Sequence, residues 1–269
     1  MKFLMSSILV FSVMCSVFAA EFKSSVCYKL YAGKKYAEIV EYVKTNNEYS
    51  VFSQKCAYGL FSLVEQGHIN KTLTKDNFVS VIDAQIAKIH FSNEEKPVAK
   101  LYLFCNAQYL NVPRYELSEQ FEKFYSQNTV VIKQLAANKK YAKFIAKAVC
   151  IYSGFEKAKN YERMFEFSLL SNDSIVNKFK FLAAKNLGKN KIVELCNIIA
   201  ANPTEIINTP KELNQYVDLT KKLNDAKYDN VVKPFYTKLK RVFYQNLTKG
   251  DDWKAALTNL QLQMNAYGM

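Results

Sequence analysis

Two stretches near opposite ends of the chain carry the same joint. In Leu30-Tyr31-Ala32-Gly33-Lys34-Lys35-Tyr36-Ala37-Glu38-Ile39-Val40 an apolar run meets a glycine, and three residues later an aromatic opens a second apolar run. Leu247-Thr248-Lys249-Gly250-Asp251-Asp252-Trp253-Lys254-Ala255-Ala256-Leu257 repeats it. Gly188 and Lys191 keep the glycine without the ring, and Val112/Tyr115, Ala158/Tyr161 and Asp225/Tyr228 keep the ring without the glycine. Glycine ends helices because it adopts backbone conformations that side chains forbid. The pattern therefore predicts helices joined in pairs by short turns. With only 7 Gly and 5 Pro in 269 residues, the chain lacks the turn residues of an all-β domain. Hydrophobic residues at 49% suffice to fill a core. The 18 Tyr and 19 Phe are large rings suited to the space between helix pairs.

Apolar spacing places the helices. Phe22 to Tyr31 and Tyr36 to Val43 flank Gly33, and Val51 to Gln66 ends at Gly67. Thr74, with Asn77 in place of the usual acid, half-caps a stripe of Phe78, Val81, Ile82, Ile86 and Ile89. A polar link, Ser92 to Pro97, precedes a helix from Val98 to Leu110, and Pro113 opens the next. Further helices are expected at Lys139 to Tyr152, Tyr161 to Leu170, Ile175 to Leu187, Lys191 to Ala201 and Lys211 to Leu223. Tyr228 to Leu247 should start near or kink at Pro234, and Asp251 should cap a last helix, Trp253 to Met264. Asn202 to Pro210, with two prolines, is the best site for a break between subdomains.

Gly33-x-x-Tyr36-Ala37 and Gly250-x-x-Trp253-x-Ala255 resemble the turn between the paired helices of tetratricopeptide-type repeats, including their Sel1-like relatives. The spacing is irregular, so the resemblance is to degenerate hairpins and not to a strict array. It implies an all-α fold, an α-solenoid of irregular helical hairpins in a right-handed superhelix, with residues 20–201 as the array and 202–269 continuing it. It also implies a concave face that binds proteins or peptides, without saying which residues bind.

Residues 1–19 read as a signal peptide. Lys2 is followed by an apolar run from Phe3 to Val13, and Val17-Phe18-Ala19 places small residues where a signal peptidase reads. The expected location is outside the cytoplasm, periplasmic or secreted, with retention of the segment as an anchor the open alternative. Nucleic acid is then a poor partner, although the chain has 37 Lys and Arg against 24 Asp and Glu. The excess peaks between Lys133 and Lys191, where 13 cations face Glu156, Glu162, Glu166 and Asp173. Lys139, Lys140, Lys143 and Lys147 lie opposite the apolar stripe of Tyr141, Phe144, Ile145, Ala148, Val149 and Tyr152. This reads either as a face for an anionic partner or as a solvated helix surface.

Cys27, Cys56, Cys105 and Cys150 each precede a turn by about nine to eleven residues, and Cys196 lies further on. No zinc spacing or C-x-x-C occurs, and a buried packing role suits such a repeated position. Cys27 and Cys56 are the pair best placed for a disulfide. Tyr31, Tyr58, Tyr109 and Tyr152 stand close to these cysteines and either line a binding face or fill the core. The only histidines are His68 and His90, and no nucleophile, metal or phosphate-loop motif is found. Asn70, Asn172 and Asn246 begin N-glycosylation triplets. The expectation is a non-enzymatic scaffold or adaptor of a cell-envelope complex, with no cofactor or metal. The alternative is a peripheral binder of anionic envelope surfaces.

Overall fold

The computed structural model describes Val26, Lys29, Leu30, Ala32, Gly33, Lys35, Glu38, Tyr42 and residues 73–87, 93–155 and 158–269. The signal segment, Cys27, Tyr31, Cys56, Tyr58, His68, Asn70 and His90 lie outside the described residues. Among those described, 81% are helical and none is in a strand. Two compact units divide between Val112 and Pro113.

In the first unit, the joint at Gly33 closes as a helix end. The Gly33 N–H donates to the Lys29 carbonyl at 3.0 Å and the Lys35 N–H to the Leu30 carbonyl at 2.9 Å. Helix α1 (Phe78–Ile86) buries Phe78, Ile82 and Ile86, the expected stripe. The Thr74 N–H donates to Asn77 Oδ1 at 2.7 Å, so the half-cap forms. Helix α2 (Glu95–Cys105) begins three residues before the expected start, because Pro97 is accommodated in its first turn, where no intrahelical N–H is needed. It is buried on almost every side, from Val98 to Cys105. Phe78 and Phe104 hold α1 and α2 together with ring centroids 5.4 Å apart, and Lys100 pairs with Asp83.

The second unit contains α3 (Ser118–Ala136), α4 (Lys139–Ser153), α5 (Tyr161–Ser168), α6 (Ser174–Leu187) and α7 (Lys189–Ala201). It continues with α8 (Pro203–Ile206), α9 (Pro210–Thr220), α10 (Asp229–Phe243) and α11 (Asp251–Ala266), with short 3₁₀ turns between. From α3 to α7 each helix packs on the next, and α4 also meets α6. Beyond α7 the pairs are α7 with α10, α9 with α11 and α10 with α11. Rings bridge the layers. Tyr152 of α4 stacks on Phe121 of α3 at 4.1 Å, and Phe181 of α6 meets Tyr216 of α9 edge-on at 5.5 Å.

The turn signals at Gly188, Gly250 and Tyr161 mark α-helix starts, whereas Tyr115 and Tyr228 fall in 3₁₀ turns that precede α3 and α10. Gly188 and Gly250 occupy N-cap positions with φ of 93° and 131°, a region that side chains avoid. Gly250 therefore takes the place expected for Asp251, which is the first helical residue and pairs with Lys254 at 3.1 Å. At one turn that lacks the glycine, a side-chain cap takes its place. Asn160 accepts from the Arg163 N–H to start α5 at Tyr161. Pro234 lies inside α10, five residues after its start, and the Asn230 carbonyl that loses its partner belongs to an exposed residue. The Asn202 to Pro210 segment is no loose linker. It holds α8, buries Ile206 and Ile207, and ends in a capping box between Thr209 and Glu212.

Candidate functional site

Helix α4 has the apolar stripe expected of it, with Tyr141, Ile145, Ala148, Val149 and Tyr152 buried. Its last two turns also bury Ala146, Cys150, Ile151 and Ser153, because α3, α5 and α6 enclose it. The basic face thus shrinks to the start of the helix. Lys139 and Lys143 are exposed and Lys147 is half-buried, while the side chain of Lys140 is not among those described. Acids distant in sequence meet this region. Lys143 pairs with Asp173 at 3.3 Å and Lys133 with Glu166 at 2.9 Å. Partial burial pushes the Asp173 carboxyl up, but the Ile175 N–H, then Lys143 and Lys147, together hold it below its ordinary range.

Tyr152, a candidate partner-binding ring, is fully buried and stacks on Phe121 at 4.1 Å with an 8° tilt. It is a core residue, because α4 is covered on that face by α3. Tyr109 belongs to the 3₁₀ turn Ala107–Leu110, and its side chain is not described. Neither Tyr58 nor the Cys27–Cys56 pair lies among the described residues. Cys105, Cys150 and Cys196 are buried. Burial pushes the Cys150 and Cys196 thiols up to about 12, and Cys150 donates to the Met164 carbonyl at 3.4 Å. Asn246 is also buried, which removes its glycosylation triplet from the surface.

Two polar clusters went unread in the sequence. Lys180 is 1% exposed. Its ammonium donates to Asn172 Oδ1 at 3.0 Å, Asn177 Oδ1 at 3.2 Å and the Ser171 carbonyl at 3.3 Å, which uses all three donors. Asn172 in turn donates to Glu205 at 2.6 Å, tying the loop before α6 to α8. Desolvation drives the Lys180 pKa down to about 8. The signal for its burial was its register, since Val176, Lys180, Ala183 and Ala184 form the inward stripe of α6. In the second cluster, Arg163 donates to Glu122 at 2.7 Å and Ser153 Oγ at 2.9 Å, and its guanidinium lies 4.4 Å from the Tyr125 ring centre. Both clusters are fully engaged within the fold and join helices to each other.

An open surface lies at the C-terminal end. Between α10, the following 3₁₀ turn and α11 is a groove of about 380 Å³, lined by Lys240, Tyr244, Leu247, Leu257, Gln261 and Leu262 among others. Tyr244 is 58% and Leu262 59% exposed. No carboxylate lines it. Lys240 donates to Gln261 Oε1 at 2.8 Å across the groove. On the neighbouring face of α10, Lys233, Thr237, Lys238 and Arg241 line a shallow depression. From Lys221 to Lys249, eight cations meet only Asp225 and Asp229 in sequence. Asp229 pairs with Lys233 at 3.0 Å, and no described carboxylate pairs with Lys238, Lys240 or Arg241.

Among the described residues, no group of three or more His, Cys, Asp or Glu is placed to hold a metal, and no helix is long and apolar enough to cross a membrane. No protein-family model, curated protein or solved structure matches the chain.

Proposed function

We propose that this chain is an exported, non-enzymatic interaction protein, a scaffold or adaptor of a cell-envelope complex, built as an irregular array of helical hairpins. The observation that carries the reading is the order of packing in the second unit. From α3 to α7 helices pack on their chain neighbours, α4 also packs on α6 and α9 on α11, and the last helix carries an open apolar groove. Such an array offers a long surface at little cost in loop closure, and its polar clusters are spent on joining helices. The signal segment supports export, and the tetratricopeptide-like turns support a peptide- or protein-binding role.

Binding of anionic envelope surfaces is the second reading. The unpaired cations of α10 favour it, while the basic start of α4 favours it less because Glu166 and Asp173 neutralise part of its charge. Cross-linking in intact source cells, then recovery of the chain in high salt, separates the two. One protein partner retained in salt and recovered reciprocally supports the adaptor. Recovery with lipid or wall polymer that salt removes supports the anionic surface, because exposed charge is screened beyond about 8 Å at physiological ionic strength.

A further inference from the structure

We infer that the groove between α10 and α11 binds an amphipathic helical segment of a partner protein whose apolar stripe is flanked by acidic residues. This deepens the adaptor reading above and rests on it. Val130 and Leu169 of the second unit are exposed as well, and a single exposed apolar side chain calls for no explanation. Tyr244 and Leu262 instead share one concavity, with Leu247 and Leu257 beside them. The depth matters for the occupant. A bilayer meets protrusions, whereas a groove between two helices accepts the ridge of a third, whose side chains recur at three- and four-residue intervals.

Charge then selects the kind of helix. Lys240 is held at the groove by a neutral amide, Gln261, which uses one of its three donors and neutralises nothing. Lys238 and Arg241 lie one face away on the same helix, also without a described carboxylate partner. A helix seated in the groove would lay its flank along this line of cations. Glutamates or aspartates there gain attraction, and lysines are repelled. A second copy of this chain is disfavoured by the same rule, since its net charge is +13. The groove also lies at the last helix of the unit, where α11 has α9 and α10 as its helical neighbours.

The test is a selection from a displayed library of helix-forming peptides against the full chain. It is repeated with Leu262→Asp and Arg241→Glu variants, both at exposed positions, whose folding is checked by circular dichroism. Enrichment of peptides with apolar residues at helical spacing and acidic flanks is expected. Their affinity should fall by about tenfold or more in Leu262→Asp and by several-fold in Arg241→Glu, as for loss of a central contact and of a rim charge. Acidic peptides that bind both variants as well as the parent would overturn this surface while leaving the adaptor reading standing. Enrichment of neutral or basic peptides overturns the charge argument. No enrichment, with the chain instead sedimenting with vesicles of phosphatidylglycerol and phosphatidylcholine, overturns both and transfers the patch to lipid.

Discussion

Lys180 supplies a measurable pH signature. Its ammonium is almost entirely removed from water and is held by two amide oxygens and a carbonyl, with no carboxylate in direct contact. Desolvation therefore outweighs the hydrogen bonds, and the folded pKa falls to about 8, against about 10.4 in an unfolded chain. Between those values the unfolded chain keeps the proton and the folded chain releases it, so stability rises with pH through that window and falls as pH drops through it. From about pH 7 to about pH 9, this one group should add about 1 kcal/mol to the unfolding free energy. Other groups oppose it. Cys150 and Cys196 are pushed up to about 12 by burial, so thiolates formed in the unfolded chain above about pH 8.5 lower stability. Comparing the parent with Lys180→Met cancels these shared terms, because both thiols stay protonated in the fold across the window. Trp253, the sole tryptophan, reports on the second unit, and its fluorescence during urea unfolding gives the required midpoints. The parent should gain on Lys180→Met by about 1 kcal/mol over the window. A difference that stays flat or shrinks would refute the desolvation argument.

The remaining predictions concern single contacts. Arg163→Met should destabilise the second unit by about 2 kcal/mol, since it strands Glu122 and Ser153; Arg163→Lys should recover less than half, because one ammonium cannot reproduce the fork and the stacking. Gly188→Ala should cost about 1–2 kcal/mol from backbone strain alone, because nothing stands within 4 Å of the added methyl. Tyr152→Ala should cost about 3–5 kcal/mol in urea unfolding, the loss expected of a large core ring. A small loss would return Tyr152 to the surface. Iodoacetamide at neutral pH should leave Cys150 and Cys196 unmodified in the native chain and label both in urea, as peptide mass spectrometry would record.

Local signals in the sequence were read well where chemistry is local. The stripe of α1, the Asn77 half-cap, the start of α5 at Tyr161 and the glycine at Gly188 all depend on residues a few positions apart. The Thr209-Pro210-Lys211-Glu212 capping box is equally local, but the two prolines of this stretch read as a break in its place. What the sequence could not reveal depends on distant partners. Lys133 and Lys143 look unopposed along the chain until Glu166 and Asp173 arrive from α5 and from the turn before α6. Tyr152 resembles an accessible ring until α3 covers it. The groove at α10 and α11 falls in the same class, since its lining comes from two helices and the turn between them.

The packing order has a kinetic consequence. Between α3 and α7 each contact layer closes a turn of a few residues, so little chain entropy is lost before a new interface forms. Such a unit should collapse quickly, from whichever hairpin forms first, and not wait for distant ends to meet. Amide exchange should then be slowest in α4, enclosed on three sides, and fastest in α11, which closes the row. If a partner helix seats against α11, it arrives as the next layer, and the slowing of exchange should spread inward from that end.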